Sequence, residues 1–221
     1  MQEQKINYQK KLEGIIEKEQ KADRVPSLLL HSCCAPCSSY VLEYLSNFFR
    51  ITVLYYNPNI SPKAEYDARV AEQERLITEL PVKYPVSFLA GEYHPEEFYA
   101  AVKGMEQCPE GGDRCTLCYE MRLREAAVTA KQGGFDYFTT TLSISPLKDA
   151  KRLNAIGETL AEEYGVSYLY SDFKKKNGYK RATELSAQYG LYRQDYCGCV
   201  FSKEEQAGRR EMQRTGGDTA E

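Results

Sequence analysis

Tryptophan is absent from these 221 residues, and histidine occurs only twice, as His31 and His94. Two histidines cannot supply a multi-histidine metal site, and they leave little from which to build a Ser-His-Asp triad. No run of about 18 apolar residues is present, so no segment reads as a membrane-spanning helix. The first twenty residues are rich in Gln, Lys and Glu and lack the apolar stretch of a secretory signal, so the chain is expected in the cytoplasm. Neither a Gly-rich loop ending in Gly-Lys-Ser/Thr nor a GxGxxG fingerprint occurs, which argues against ATP or NAD held at the first strand-to-helix turn. A net charge of −3 gives no global signal for nucleic acid, although such an average hides a local basic patch. No internal repeat is evident.

What is plentiful is cysteine, eight residues, and tyrosine, eighteen. A reducing compartment argues against a disulfide scaffold, so clustered cysteines point to metal or redox chemistry. Most tyrosines read as packing residues, with a minority available for stacking.

Alternating apolar runs and helical spacing predict an α/β fold, one sizeable domain built on a twisted parallel sheet. Helices are expected at 5–22, from Pro36, at 63–79, from about Pro95, at 115–131, 149–164 and 179–189, and from Ser202. Strands are expected at 28–30, 51–55, 85–89, 135–142 and 166–170. Residues 26–202 are expected to form the catalytic domain, 1–25 an N-terminal helix, and 203–221 a charged tail that frays into disorder.

Cysteines collect in three places. Cys33, Cys34 and Cys37 sit on the turn after the first strand, where a helix N-terminus favours thiolate. Neighbouring Cys33 and Cys34 suit a multinuclear centre, or a cluster beside a second metal, better than a single zinc ion. Cys37 is open to two readings, a ligand or a small packed residue. Cys115 and Cys118 open a helix and face one side of it, so four ligands from two turns can be assembled with the first group. Cys197-Gly-Cys199 can close a strained, reducible disulfide. Asp195 is either a hard-metal ligand or a solvated carboxylate. Cys108 has no partner at chelating spacing, and His31 reads as a core histidine. Lys174, Lys175, Lys176, Lys180 and Arg181, with Tyr179 among them, suit phosphate contact and base stacking unless they are merely a solvated face.

Four motifs then carry a resemblance: His31-Ser-Cys-Cys-Ala-Pro-Cys-Ser, Arg114-Cys-Thr-Leu-Cys-Tyr119 leading into Arg122-Leu123, Thr139-Thr-Thr-Leu-Ser-Ile-Ser-Pro146, and Asp172-Phe-Lys-Lys through Tyr192-Arg-Gln-Asp-Tyr-Cys-Gly-Cys-Val-Phe-Ser202. Across about residues 26–202 they resemble the QueH family of epoxyqueuosine reductases. The resemblance implies a Rossmannoid, nucleotide alpha-hydrolase-like sheet with helices on both faces. It implies a cobalamin-independent reductase acting on epoxyqueuosine at the wobble position of tRNA with a GUN anticodon, served by an electron donor. It further implies a [4Fe-4S] cluster and an adjacent iron at Cys33, Cys34, Cys115 and Cys118, with Cys197 and Cys199 as the redox pair. Two readings of another class stand beside it: a Cys₄ zinc-stabilised RNA-binding module, and a thioredoxin-like oxidoreductase using Cys34 and Cys37.

Overall fold

The computed structural model describes residues 6–215. Five strands, β1 (Ser27–His31), β2 (Arg50–Tyr55), β3 (Val86–Ala90), β4 (Tyr137–Thr140) and β5 (Ser167–Tyr168), form one sheet in the order β3-β2-β1-β4-β5. All neighbours are parallel, with Leu28 opposite both Ile51 and Tyr137. The helices are α1 (Tyr8–Lys21), α2 (Ala35–Leu45), α3 (Lys63–Glu79), α4 (Pro95–Ala101), α5 (Asp113–Gln132), α6 (Ala150–Tyr164), α7 (Gly178–Gln188) and α8 (Val200–Thr215).

β1 is a run of leucines because both of its faces are covered, as parallel strands require. Leu28 and Leu30 join one core with Leu12 and Ile16 of α1, Val41 and Leu45 of α2, and Leu76 of α3. Leu29 faces the other way, into a core with Leu123 and Ala127 of α5 and Leu153 and Leu160 of α6. Each fully buried leucine contributes about 2 kcal/mol of burial free energy. Helices therefore lie on both faces of a parallel sheet, as expected.

Three elements differ from the sequence expectation. β4 stops at Thr140, whose hydroxyl accepts from the Leu142 amide at 3.2 Å and turns the chain into a 3-10 turn over Thr141–Ile144. β5 is short because side chains take over its backbone partners: Thr139 Oγ1 donates to the Leu169 carbonyl, and Asn154 bonds both backbone groups of Ser171. α8 begins at Val200 and carries the charged segment to Thr215 as helix, in keeping with its Glu, Gln, Arg and Ala content. The frayed end expected at 216–221 lies outside the described residues. Among the described residues no helix is long and apolar enough to cross a membrane.

The chain runs outward from β1 through β2 and β3 on one side, and from β4 through β5 on the other. The carboxyl ends of β1 and β4 thus flank the topological switch point, where ligands collect in open parallel sheets.

Candidate metal and dithiol centre

The turn leaving β1 is built almost entirely from satisfied polar groups. Asn57 Nδ2 donates to the Ser32 carbonyl at 2.8 Å, and the Tyr55 hydroxyl donates to the Cys33 carbonyl at 3.2 Å. Ser32 and Ser38 both donate to Gln73 Oε1, at 2.8 and 2.7 Å, tying the turn to α3. Cys34 is the extended residue just before α2, and Cys37 lies within the first turn of that helix. The Sγ atoms of Cys33, Cys34 and Cys37 consequently converge, all within 4.8 Å of one another. Cys33 Sγ lies 3.8 Å from Cys34 Sγ, and 3.9 Å from Thr141 Oγ1 across the switch point. Among the described residues no other group of three Cys, His, Asp or Glu ligand atoms is so close.

These thiols share charge unequally. Bonds from Cys34 and Cys37 hold Cys33 well below the usual thiol range against the opposing effect of burial, and the Arg122 charge adds to this. The same bond to Cys33 pushes Cys34 up to about 12. His31, at the end of β1, bonds Thr140 Oγ1 at 2.9 Å and the Tyr56 carbonyl at 3.0 Å. Burial lowers its pKa to about 4, so it is a neutral, satisfied core histidine.

Cys115 and Cys118 lie on the first turns of α5. Cys115 Sγ accepts from the Gly111 amide at 3.2 Å, which holds it toward its own loop, and it packs in the same cluster as Cys33 and Cys34. Cys118 belongs to a smaller cluster with Cys197, Cys199 and Phe98, and burial pushes its thiol up to about 11. The tight triad is completed by Cys37, while the α5 pair stands beside both other cysteine groups. Cys108 is half-buried and joins none of them.

Cys197 and Cys199 are reduced, with sulfurs 3.5 Å apart. The Ser202 hydroxyl accepts from the Cys197 amide at 3.2 Å, and the Ser202 amide donates to Cys199 Sγ at 3.4 Å. That hydroxyl in turn donates to Glu110, which is ion-paired with buried Lys148 at 2.9 Å. The Cys199 thiol, followed by Lys148, brings Cys197 down to about 5 despite burial. Gly198 holds φ at +116°, and a Cβ there would meet Ile60 Cγ1 at 2.8 Å and Arg69 Nη1 at 3.1 Å. Gly198→Ala is expected to cost about 1–3 kcal/mol locally and to unseat the dithiol loop. Mass-spectrometric thiol trapping should show buried Cys199 newly accessible while circular dichroism is unchanged; parent-like protection of Cys199 would contradict the packing described.

The thiols of Cys33, Cys34, Cys37 and Cys197 line one cavity of about 560 Å³. Arg69, Arg122, Lys148 and Arg193 also line it, whereas its carboxylates are engaged, Glu110 by Lys148 and Asp195 by Arg210. Arg69, Arg122 and Lys148 have no place in the sequence reading of the site. Spacing alone marks Arg122: it lies one turn beyond Cys118 and two beyond Cys115, on the helix face those cysteines share. Lys148 and Arg69 reach the cavity through loop and helix placement that spacing does not reveal.

The basic run is only partly free. Lys174 pairs with Asp172 at 2.9 Å, Lys176 with Glu13, and Arg181 with Glu43 at 2.6 Å. Lys175 and Lys180 are exposed, and Tyr179, 43% exposed, lines the same cavity as the thiols. Leu147, 65% exposed, lines it too.

The family model described as epoxyqueuosine reductase QueH matches residues 28–205. Among curated proteins named epoxyqueuosine reductase QueH, that of Streptococcus pyogenes serotype M1 is 44% identical over 205 residues, covering 92% of this chain and 80% of its own. That of Staphylococcus epidermidis is 44% identical over 210 residues, covering 93% and 88%. That of Haemophilus influenzae is 38% identical over 218 residues, covering 95% and 87%. Among solved structures, the U34-tRNA thiolase NcsA from Methanococcus maripaludis with its [4Fe-4S] cluster is 12% identical at a TM-score of 0.49, covering 94% of this chain and 74% of that one. A likeness that weak carries nothing further.

Proposed function

Because the chain belongs to the QueH family of epoxyqueuosine reductases, and is therefore an oxidoreductase, we propose that it deoxygenates epoxyqueuosine at the wobble position of tRNA with a GUN anticodon. The reading includes a cytoplasmic, cobalamin-independent reaction that yields queuosine and water. The observation that carries it is the convergence of three reduced thiols and a separate thiolate of a dithiol pair on a single cavity lined by cations.

The reaction removes one oxygen and needs two electrons and two protons. A thiol and a thiolate becoming a disulfide supply both electrons and one proton, and solvent supplies the other, so epoxide, thiol, thiolate and one proton balance against alkene, disulfide and water. Cys197 and Cys199 fit that role, since their sulfurs need close from 3.5 Å to a bond of about 2.05 Å. Lys148, held by Glu110, keeps positive charge beside the Cys197 thiolate, and the Ser202 bonds orient both cysteines. An electron donor then returns the pair to dithiol.

The first cysteine group tests the fit of a metal centre. Three soft sulfur donors, two buried and one half-buried, unbridged and with no carboxylate among them, match the ligand chemistry of iron–sulfur clusters. In this reading Cys33 and Cys34, with Cys37, hold the [4Fe-4S] cluster and an adjacent iron together with Cys115 and Cys118. When bound, such a centre supplies single-electron transfer and Lewis acidity toward oxygen.

Tyr179 and Leu147, exposed on the cavity lining, offer stacking to the anticodon loop, and the exposed Lys180 that follows Tyr179 in the chain offers phosphate contact. Charge reversal at Lys174, Lys175 and Lys176 should weaken tRNA binding and flatten its salt dependence by about one unit of slope per lost phosphate contact. A filter-binding series showing the parent slope would remove this face from the interface. The activity itself is tested by anaerobic incubation with tRNA carrying epoxyqueuosine and a strong reductant, followed by nucleoside analysis. Queuosine should accumulate; unchanged epoxyqueuosine with a fully reduced, metal-loaded protein would contradict the proposal.

A further inference from the structure

Arg122 is 4% exposed on α5, and its charge is unlike that of the other buried arginines. Arg69 is paired with Glu65 at 2.7 Å and Arg114 with Glu205 at 3.1 Å. Arg122 has no carboxylate ion pair among the described residues. Its Nε donates to the Cys118 carbonyl at 3.1 Å, one turn back along its own helix, and its Nη1 faces Asn57 Oδ1 at 3.5 Å. Neither partner carries charge. A buried cation is unfavourable unless something negative compensates it. The groups around this guanidinium that can carry negative charge are chiefly sulfurs, those of Cys118, Cys33 and Cys197. Those three thiols come from three distant parts of the chain, and Arg122 shares the cavity wall with two of them, Cys33 and Cys197.

We propose that Arg122 is the fixed counter-charge of the thiol centre, a positioning residue that compensates Cys197 and the sulfurs of Cys33 and Cys118, which would be thiolates once they hold the metal, and thereby sets the potential at which the iron–sulfur centre takes up an electron. The inference rests on the metal-centre reading above. Reduction adds one negative charge to the ligand set, and a nearby cation favours the reduced form. A guanidinium stays protonated at every pH the protein tolerates, so this bias is constant and does not titrate away. The low-dielectric surroundings that make the lone cation costly are the same that make its influence on a neighbouring charge large.

The test is redox titration of the anaerobically purified, metal-loaded protein, with Arg122→Met and Arg122→Lys beside the parent. Methionine fills a similar apolar volume without charge, and lysine keeps the charge without the planar fork. Arg122→Met should be harder to reduce by tenfold or more in the reduction equilibrium constant, which is 59 mV for one electron. Arg122→Lys should stay within about threefold of the parent. A structural role alone would alter iron content or melting temperature and leave the potential of the loaded protein unmoved. An Arg122→Met protein with intact iron and sulfide and the parent's potential overturns the proposal. Should Arg122→Met fail to fold or load, Arg122→Lys decides: a folded, loaded lysine variant displaced tenfold or more overturns it. A parent devoid of iron and sulfide overturns the metal-centre reading and this inference with it, an outcome distinct from an unmoved potential in a loaded protein.

Discussion

Replacing Cys197 by serine is expected to reduce turnover to about a thousandth of the parent rate or lower, the scale seen when a reacting group is removed, while iron and sulfide stay at the parent level. The deoxygenation consumes two electrons and two protons; in the proposed reaction the Cys197/Cys199 pair, with sulfurs 3.5 Å apart, supplies both electrons and one proton, and solvent supplies the other proton. Serine preserves shape and the backbone bond to Ser202 but cannot form the disulfide. Cys199→Ser should be as inactive for a second reason. The Cys199 thiol is the main support of the Cys197 thiolate, whose pKa stands at about 5. In the parent, alkylation of Cys197 should be nearly level above pH 6 and should fall as pH drops through about 5, because only thiolate reacts. In Cys199→Ser the midpoint should move upward. A Cys197→Ser protein that turns over like the parent would take the dithiol out of the reaction.

Replacing Cys33 by alanine is the second large effect. Cys33 is the member of the triad whose thiol is held below the usual range, and it reaches the β4 side of the switch point through Thr141. Its loss should strip iron and sulfide from the protein and abolish turnover. The fold should lose only about 1 kcal/mol, the cost of a methyl-sized void in a packed cluster. Cys197 and Cys199 should still titrate as two free thiols, since their loop is anchored separately through Arg69, Ile60 and Ser202. Metal analysis and thiol counting on one preparation check both halves. Retention of full iron in Cys33→Ala would show that the β1 turn does not hold the centre.

Much of this architecture is legible in the chain. The leucine run of β1 and the three- and four-residue spacing of α1, α2 and α5 are strong periodic signals, and both faces of the sheet are paired as they imply. Local hydrogen bonds that periodicity does not encode account for the misjudged ends. Thr140 and Asn154 each substitute a side chain for a ladder bond, shortening β4 and β5. At the site, clustering of cysteines is readable, but the membership of each group depends on backbone direction. The extended conformation at Cys34 and the helical turn that follows bring Cys37 into the triad. The bond from Gly111 keeps Cys115 with its own loop, which spacing on a helix cannot express. Buried cations were the least visible feature. An arginine in a helix reads as surface charge until packing shows that Arg122 and Arg69 face thiols and a loop carbonyl. The basic run at 174–181 illustrates the converse, since Glu13, Glu43 and Asp172 engage three of its cations from distant or adjoining positions.

Iron and acid-labile sulfide, measured together on protein purified without oxygen, test the central claim most directly. The convergent thiols at the end of β1 require a brown protein containing both elements, with iron at least equal to sulfide. A colourless protein with one zinc ion and no sulfide would contradict the account and leave a zinc-stabilised module in place of a reductase.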